Sequence, residues 1–493
     1  MHSSLIFDKY KDNHLLWWGN VVGFVGLALL LTVAPLPWLM LLLGGSVAGL
    51  LVIRWPWLIW PALGFALPVA SSVKVGPLTV TDLLLGLALM LWFLDGVRQR
   101  TLRFSFSPLM PYLLLFVGAQ TVALWGARDL GEAAREVVKW LEVGLVLLVA
   151  PQMLTKQTVP WLVTALLAGG VTQALLGIYQ FIFRIGPEWF IVLGRFMRAS
   201  GSFRQPNPYA GYLGLCLPVA ASLALWAGQE LWHKAKPARQ SGHWLWALIY
   251  GGATGVISLG LLASWSRGGW LGAALGLAVV VILSMRRAAV FSAFAAVLIA
   301  GGLLLGSAMP QWIPAPLTAR LQDLPAYFGL SDVLSQPVTD ENFAVLERVA
   351  HWAAALRMWD QAPWFGVGPG NYAVVYPEVR LPLWEEPLGH AHNIYLNLLA
   401  ESGLFGLAAF LLFWAVTIGW LWRQIGEMRR TQPAAFTRWR IALNIGILGV
   451  IAHLSLHNLF DNLFVQGMYL HIALWLSTLV GYTGWEHANQ HEV

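Results

Sequence analysis

The sequence predicts an all-α protein, a polytopic bundle of about 12 to 14 transmembrane helices with a mostly helical cap on one side. Composition is the first reason: 58% of the residues are hydrophobic and 11% are charged, whereas soluble domains carry about 25% charged residues. Apolar stretches of about 17 to 25 residues, long enough to cross a bilayer, recur along the chain. The 28 tryptophans are typical of aromatic belts at the two membrane interfaces.

The individual spans follow from apolar windows bounded by charges, proline or glycine. They are predicted near residues 17–33, 36–53, 55–71, 82–97, 109–126, 136–153, 159–184, 207–229, 243–264, 268–285, 288–308, 402–423, 441–459 and 464–483. Pro56, Pro61 and Pro68 interrupt the third window, so this segment could instead be re-entrant or interfacial.

The same windows divide the chain into three regions. An N-terminal transmembrane bundle is expected over 1–308, a cap loop over 309–401, and further helices of the same bundle over 402–493. Within the cap, apolar residues recur at helical spacing over 341–364. This pattern predicts amphipathic helices on or near the membrane surface.

Charge sets the predicted orientation. The short basic connections 98–103, 286–287 and 423–440 fall on one side of the alternating spans, and short loops rich in lysine and arginine stay in the cytoplasm. We therefore expect an inner (plasma) membrane protein with cytoplasmic termini and an extracytoplasmic cap. On the cap side only Lys74 and Lys139 are lysines, and the other cations are arginines, whose planar fork suits phosphate. This bias predicts an anionic ligand on that side.

Two loops carry the arginines that best fit such a ligand. In 200-SGSFRQPNPYAGYL-213, Arg204 precedes a span whose N-terminus favours anions, and Asn207 can cap that helix. In 264-SWSRGGWLG-272, two glycines follow Arg267 and allow a ligand to approach the backbone closely. The alternatives are a tight structural loop for the first arginine and a snorkelling side chain for the second.

The end of the cap carries the candidate base. In 390-HAHN-393 two histidines and an asparagine stand immediately before a span, and imidazole is the natural base at neutral pH. Interfacial histidines that only form hydrogen bonds are the alternative. A zinc site is disfavoured, because His390, His392 and a more distant Glu401 make a poor ligand set. The glycines of 366-GVGPG-370 lack the Lys-Ser/Thr of a phosphate loop and are interpreted as a turn.

A further polar set lies near the last two spans. His453, His457 and Asp461 are spaced by four, so they share one face if the helix continues to Asp461. Polar residues at such positions need an inward-facing role, and packing between helices explains them equally well.

These motifs, in this order, resemble the O-antigen ligase and polymerase superfamily over roughly residues 80–480. The segments that carry the resemblance are 201-GSFRQPNPYAGYL-213, 265-WSRGGWLG-272, 348-RVAHWAAALRMWDQAPWFGVGPGN-371 and 390-HAHNIYLNLLAESGLFG-406. The sequence is also similar to cyanobacterial proteins of that superfamily once called inorganic-carbon transporters.

The resemblance implies a membrane glycosyltransferase that moves a glycan from a polyprenyl diphosphate carrier to an acceptor hydroxyl on a lipid, glycan or protein. It implies no cofactor, no metal, no nucleic acid partner and inversion at the anomeric carbon. Carried over by position, Arg204 and Arg267 bind the diphosphate and His392 activates the acceptor. Arg348, His390, Asn393 and Asn207 become further substrate contacts.

Two other classes of function stay open at this stage. A transporter, for an anion such as bicarbonate or for a lipid-linked substrate, could also line an outer cavity with arginines. Transport is expected to place ionisable or broken-helix elements near mid-membrane, whereas the polar groups here cluster at one face. A noncatalytic glycan-binding component would leave 390-HAHN-393 without a role.

Overall fold

A computed structural model describes residues 36–480 except 77, 101, 103, 105, 193, 234–242, 286–336, 339–341 and 431–433. Its regular structure is almost entirely helical, with two hairpins of two-residue strands. The α-helices of this part of the chain are α1 Leu36–Arg54, α2 Ile59–Ala70, α3 Val80–Gln99, α4 Met110–Ala123, α5 Leu130–Met153, α6 Val159–Phe183, α7 Pro206–His233, α8 His243–Ala263, α9 Arg267–Ser284, α10 Phe343–Gln361, α11 Tyr372–Val379, α12 Ile394–Arg430, α13 Ala435–His457 and α14 Met468–Val480.

The remaining elements are short. The first hairpin pairs β1 (Lys74–Val75) with β2 (Leu78–Thr79), and the second pairs β3 (Ile191–Val192) with β4 (Phe196–Met197). Three 3-10 turns cover Pro56–Leu58, Leu124–Gly126 and Glu188–Phe190.

The chain divides into two units, residues 1–58 and 59–493. In the first unit the structure describes α1 and the 3-10 turn that follows it, with the Arg54 guanidinium 5.6 Å from the centre of the Trp55 ring. All further elements belong to the second unit.

Length and hydropathy confirm the predicted all-α, multi-pass membrane protein. Seven helices of the described chain are long and apolar enough to cross a membrane, namely α3, α6, α7, α8, α9, α12 and α13. Shorter apolar helices include Pro56–Ala70, which lies within the third predicted span, 55–71, and contains Pro68. The predicted spans 17–33 and 288–308 lie outside the described residues.

Helices α7 and α13 form the centre of the second unit, since most of each apolar window is buried. Small residues let their backbones approach, as is common between membrane helices. A Cβ on Gly446 would lie 2.7 Å from the Val219 Cα, and the Ser222 hydroxyl donates to the Ala442 carbonyl at 2.7 Å. The loops at one end of these two helices carry the candidate site.

Helix α12 is broken near its start. Gly403 has φ +62°, and the chain segment 362–368 runs beside this break. The amides of Val367 and Gly368 donate to the carbonyls of Ala400 and Glu401 at 2.9 and 3.0 Å. An interrupted membrane helix leaves backbone carbonyls without hydrogen bonds, and backbone pairing across the break satisfies them here. It also places the first turns of α12 within the predicted cap, eight residues before the predicted span.

The glycines of 366-GVGPG-370 form a turn, as the sequence indicated, and their role is close packing. A Cβ on Gly366 would lie 2.3 Å from the Glu401 carbonyl carbon, and one on Gly368 would lie 2.5 Å from the Ala127 Cα. Glu401 accepts the Tyr372 amide at 3.0 Å, so its carboxylate ties the cap to α12. This contact gives Glu401 an anchoring role.

Candidate active site

Three arginines meet in one cleft at the end of the bundle where α6 and α8 end and α7, α9 and α12 begin. The cleft encloses about 60 Å³. It is lined by Arg198, Asn207, Trp265, Ser266, Arg267, Gly268, Leu271, Ala344, Arg348, His457, Phe460 and Asp461. We call residues 198, 207, 265–268 and 271 the first wall, and residues 344, 348, 457, 460 and 461 the second wall.

The first wall is built around the start of α9. Arg267 is the first residue of this helix, and the Ser266 side chain caps it by accepting the Gly269 amide at 3.3 Å. The positive end of the helix dipole therefore points toward the cleft, where it favours an anion. Trp265 is held at φ +51°, an uncommon conformation for a bulky residue that often marks a functional site.

Arg198 is the second cation of the first wall. Its Nε donates to the Ser264 carbonyl at 2.9 Å, and one terminal nitrogen donates to Asn207 Oδ1 at 2.9 Å. The sequence suggested that Asn207 caps α7. However, α7 begins at Pro206, so Asn207 is the second residue of the helix. Proline is favoured at the first helical position because its missing N–H is not needed there.

Two glutamines of α6 hold the loop that follows Arg198. Gln180 Oε1 accepts the amides of Ser200 and Gly201 at 3.0 and 2.7 Å, and Gln180 Nε2 donates to the Gly201 carbonyl at 2.8 Å. Gln173 Oε1 accepts the Ser202 amide at 2.9 Å. Further along this loop, Arg204 is exposed and is not among the residues lining the cleft.

The second wall places Arg348 opposite these groups. Arg348 lies in the second turn of α10, and its guanidinium donates to the Ala344 carbonyl at 3.0 Å. Val345 and Leu346 of the same helix pack in a buried cluster with Phe460, against which Leu271 of the first wall also packs. This apolar contact fixes the distance between the two walls.

His392 contacts Asp461, which lines the cleft. The two residues approach to 3.5 Å between His392 Nδ1 and Asp461 Oδ1, and both side chains are largely buried. His392 has φ +51°, and its amide donates to His390 Nδ1 at 3.1 Å. Asn393 Oδ1 accepts the amides of Tyr395 and Leu396 at 3.0 and 3.1 Å. Asn393 therefore caps α12 and positions the histidine before it.

Burial and charge set the ionisation of this cluster. Burial alone would raise the pKa of Asp461, but the contact with His392 and the nearby His390 and His457 hold it below its ordinary value. Burial, reinforced by His392, lowers the pKa of His390 to about 3. The carboxylate is thus ionised and His390 is neutral at physiological pH.

A third histidine stands behind His392. His351 of α10 is buried, its Nδ1 lies 2.9 Å from the Tyr372 hydroxyl, and its ring centre is 5.9 Å from that of His392. Burial and the nearby His392 lower the pKa of His351 to about 4. The sequence alone did not single out this residue.

His390, His392 and Asp461 could in principle hold a metal ion, because their ligand atoms lie within 4.8 Å of one another. However, His390 Nδ1 already accepts a backbone hydrogen bond. In a neutral imidazole the other nitrogen then carries the proton and cannot act as a ligand. The donor set fits a contact between the His392 imidazole and the Asp461 carboxylate better than a metal centre.

Residues 252–411, from α8 into α12, match the family model described as O-antigen ligase. The matched region covers about a third of the 493 residues of the chain. The match confirms the resemblance to that superfamily. A comparison with curated proteins finds no match.

The region that matches the family model contains only part of the cleft. Arg267, Arg348 and His392 lie within the matched residues, whereas Arg198 and Asp461 come from outside them. Sequence reasoning passed over Arg198, because three arginines lie within 195–204 and spacing does not say which of them turns inward. It noted Asp461 only on the assumption that α13 continues, but α13 ends at His457.

Proposed function

We propose that this protein is a glycosyltransferase that moves a glycan from a polyprenyl diphosphate to an acceptor hydroxyl, without a metal. The observation that carries the proposal is the meeting of Arg198, Arg267 and Arg348 with Asp461, the partner of His392, in one cleft. The match to O-antigen ligase supports the same class of donor. The three arginines that line the cleft suit phosphate groups.

The arginines supply the electrostatic part of the reaction. When the bond between the anomeric carbon and the diphosphate oxygen breaks, the electron pair leaves with the diphosphate and its negative charge grows. Arg198, Arg267 and the N-terminus of α9 are already in place to stabilise that charge, and such preorganised donors are worth about 10² to 10³ in rate each. Arg348 adds a positive charge from the second wall.

His392 supplies the general base. With Nδ1–H directed to Asp461, Nε2 keeps the lone pair that accepts the proton of the acceptor hydroxyl as its oxygen bonds to the anomeric carbon. The Asp461 carboxylate stabilises the imidazolium that forms. General-base catalysis of this kind contributes about 10² to 10⁴ in rate. Attack opposite the leaving diphosphate inverts the anomeric carbon.

The location follows from the charge pattern. The cleft lies at the end of the bundle opposite the basic residues Arg98, Arg429 and Arg438, and short basic segments face the cytoplasm. We place the cleft on the extracytoplasmic side of the inner membrane. A lipid-linked donor and a growing envelope glycan meet on that side.

Transfer by the purified protein tests the proposal. The assay combines extracted lipid-linked glycan with lipid, glycan and protein acceptors and compares wild type with Arg267→Ala and His392→Ala. We expect transfer that resists chelator treatment and falls at least about 100-fold in each variant. Normal transfer in both variants would contradict the site. Flux of bicarbonate or lipid-linked glycan across liposomes, with no transfer to any acceptor, would favour a transporter.

A further inference from the structure

A row of stacked aromatic rings leads away from the first wall of the cleft. The Trp265 ring, which lines the cleft, lies 4.9 Å from the Phe196 ring at 29°, and Phe196 lies 6.3 Å from Phe181 at 5°. We call Trp265, Phe196 and Phe181 the aromatic ladder. The Arg195 guanidinium stands 4.5 Å from the centre of the Phe196 ring. The ladder therefore joins the arginine cleft to the surface of the bundle and carries a cation beside it.

The segment that follows Phe181 exposes large apolar side chains together with the charged residues Arg184 and Glu188. It is formed by the end of α6 and the turn before β3, where Phe183 is 64% exposed and Trp189 is 82% exposed. Exposed aromatic residues beside charged ones at a helix end are typical of the membrane interface. The ladder thus extends from the cleft to Phe181, a partly exposed residue near the end of α6.

Chemistry decides which part of the donor lies on this path. The anomeric carbon must stand between the leaving diphosphate and the base, so the glycan extends toward His392, which is reached from the second wall. The isoprenoid chain is attached to the other end of the diphosphate and extends the other way. Trp265 and Phe196 are contributed by the first wall and by the hairpin beside it.

We propose that the aromatic ladder binds the isoprenoid units next to the diphosphate of the donor. The inference rests on the proposed function for the identity of the donor. It assigns a role to the unusual backbone of Trp265, which holds an indole ring between the cleft and Phe196. Isoprenoid chains carry regularly spaced methyl groups, which pack against the exposed edges of the stacked, partly buried rings.

Binding of short ligands tests the ladder without any transfer reaction. Calorimetric titration of purified wild type compares farnesyl diphosphate, a water-soluble isoprenoid diphosphate, with inorganic diphosphate. We expect Phe196→Ala to weaken farnesyl diphosphate about five- to tenfold and to leave inorganic diphosphate unchanged. Phe196→Leu keeps an apolar side chain and retains most of the affinity. Arg267→Ala weakens both ligands.

A matched control comes from α12. Phe405 is also a surface aromatic residue with two ring neighbours, Trp364 and Phe365, and it lies far along the chain from the ladder. Phe405→Ala leaves both affinities unchanged if the ladder is specific. Equal weakening of farnesyl diphosphate in Phe405→Ala and Phe196→Ala would overturn the proposal, because it would indicate only general contact with the lipid-facing surface.

The remaining outcomes are also decisive. If Phe196→Ala binds farnesyl diphosphate as tightly as wild type, the proposal that the ladder binds isoprenoid units is wrong. Poor transfer of a sugar-bearing donor by that variant would not rescue the proposal, because it would indicate that the rings contact the sugar. A wild type that binds farnesyl diphosphate through the ladder but transfers no glycan contradicts the proposed function and leaves the ladder standing as an isoprenoid site. The two inferences therefore fail separately.

Discussion

Single residues decide whether the cleft can stabilise a diphosphate, and Arg198 and Arg204 make the sharpest comparison. Arg198 lines the cleft and is fixed by Ser264 and Asn207, whereas Arg204 is exposed and does not line it. We expect Arg198→Ala to lower the rate of transfer about 10²- to 10³-fold, the usual cost of a lost oxyanion donor. Arg204→Ala should change the rate only a few-fold.

Initial rates of transfer at saturating donor distinguish the two arginines. Arg198→Lys serves as the control, because it keeps the charge but loses the planar fork, so it should recover part of the rate. The opposite ranking, with Arg204→Ala the more damaging variant, would restore the assignment suggested by sequence alone.

His351 predicts how stability depends on pH. Burial and the nearby His392 lower its pKa from 6.5 to about 4 in the folded state. Between pH 4 and 6.5 the unfolded chain therefore binds a proton that the folded chain excludes, so stability is full above about pH 6.5 and falls as the pH drops toward 4. The loss from this residue is at most about 3 kcal/mol.

Thermal unfolding of the detergent-solubilised protein at pH 7.5 and pH 4.5 measures this effect. His351→Gln should show a smaller difference in Tm between the two pH values than wild type. Some pH dependence remains, because burial also lowers the pKa of His390 to about 3. An equal drop in Tm for wild type and the variant would exclude His351 as a source of acid sensitivity.

Among the elements, the broken helix α12 controls how the cap is attached. A Cβ on Gly403 would lie 2.3 Å from the Trp364 carbonyl carbon, and the residue has φ +62°. Gly403→Ala must therefore adopt a strained backbone and push apart two paired chain segments. We expect a loss of stability of about 2 kcal/mol or more from overpacking and strain, and with it a loss of transfer.

Gly419 of the same helix provides the control for this variant. Nothing lies within 4 Å of a Cβ placed there, so Gly419→Ala should leave Tm unchanged or raise it slightly. Thermal unfolding of the two variants side by side makes the comparison. A Gly403→Ala protein as stable as Gly419→Ala would mean that the break is not a structural requirement.

Elements of this protein differ in how far sequence alone predicts them. Hydropathy placed α7 and α8 within a few residues, because length and polarity determine a span locally. The early start of α12 at Ile394 and its break at Gly403 were not predictable, because both depend on backbone pairing with 362–368.

The residues of the candidate site also differ in how far the sequence predicts them. His392 stands out by its chemistry, whereas Arg198 becomes visible only once the fold turns it toward the cleft.

At the scale of the whole molecule, the proposed reaction requires the cleft and the basic end to lie on opposite sides of the membrane. The protein is well suited to a test, because its one cysteine, Cys216, is buried. Leu383 of the cap is 78% exposed, and the Arg423 side chain near the basic end is 80% exposed. Single cysteines at these positions report one side each.

We expect Leu383→Cys to react with a membrane-impermeant maleimide in intact cells, and Arg423→Cys to react only after the membrane is permeabilised. The parent protein should stay unlabelled in both conditions, because the buried Cys216 thiol is inaccessible. Short basic loops are retained in the cytoplasm, so both variants should insert with the same orientation. The reversed labelling pattern would place the arginine cleft on the cytoplasmic side, where an extracytoplasmic acceptor could not reach it, and would contradict the proposed transfer.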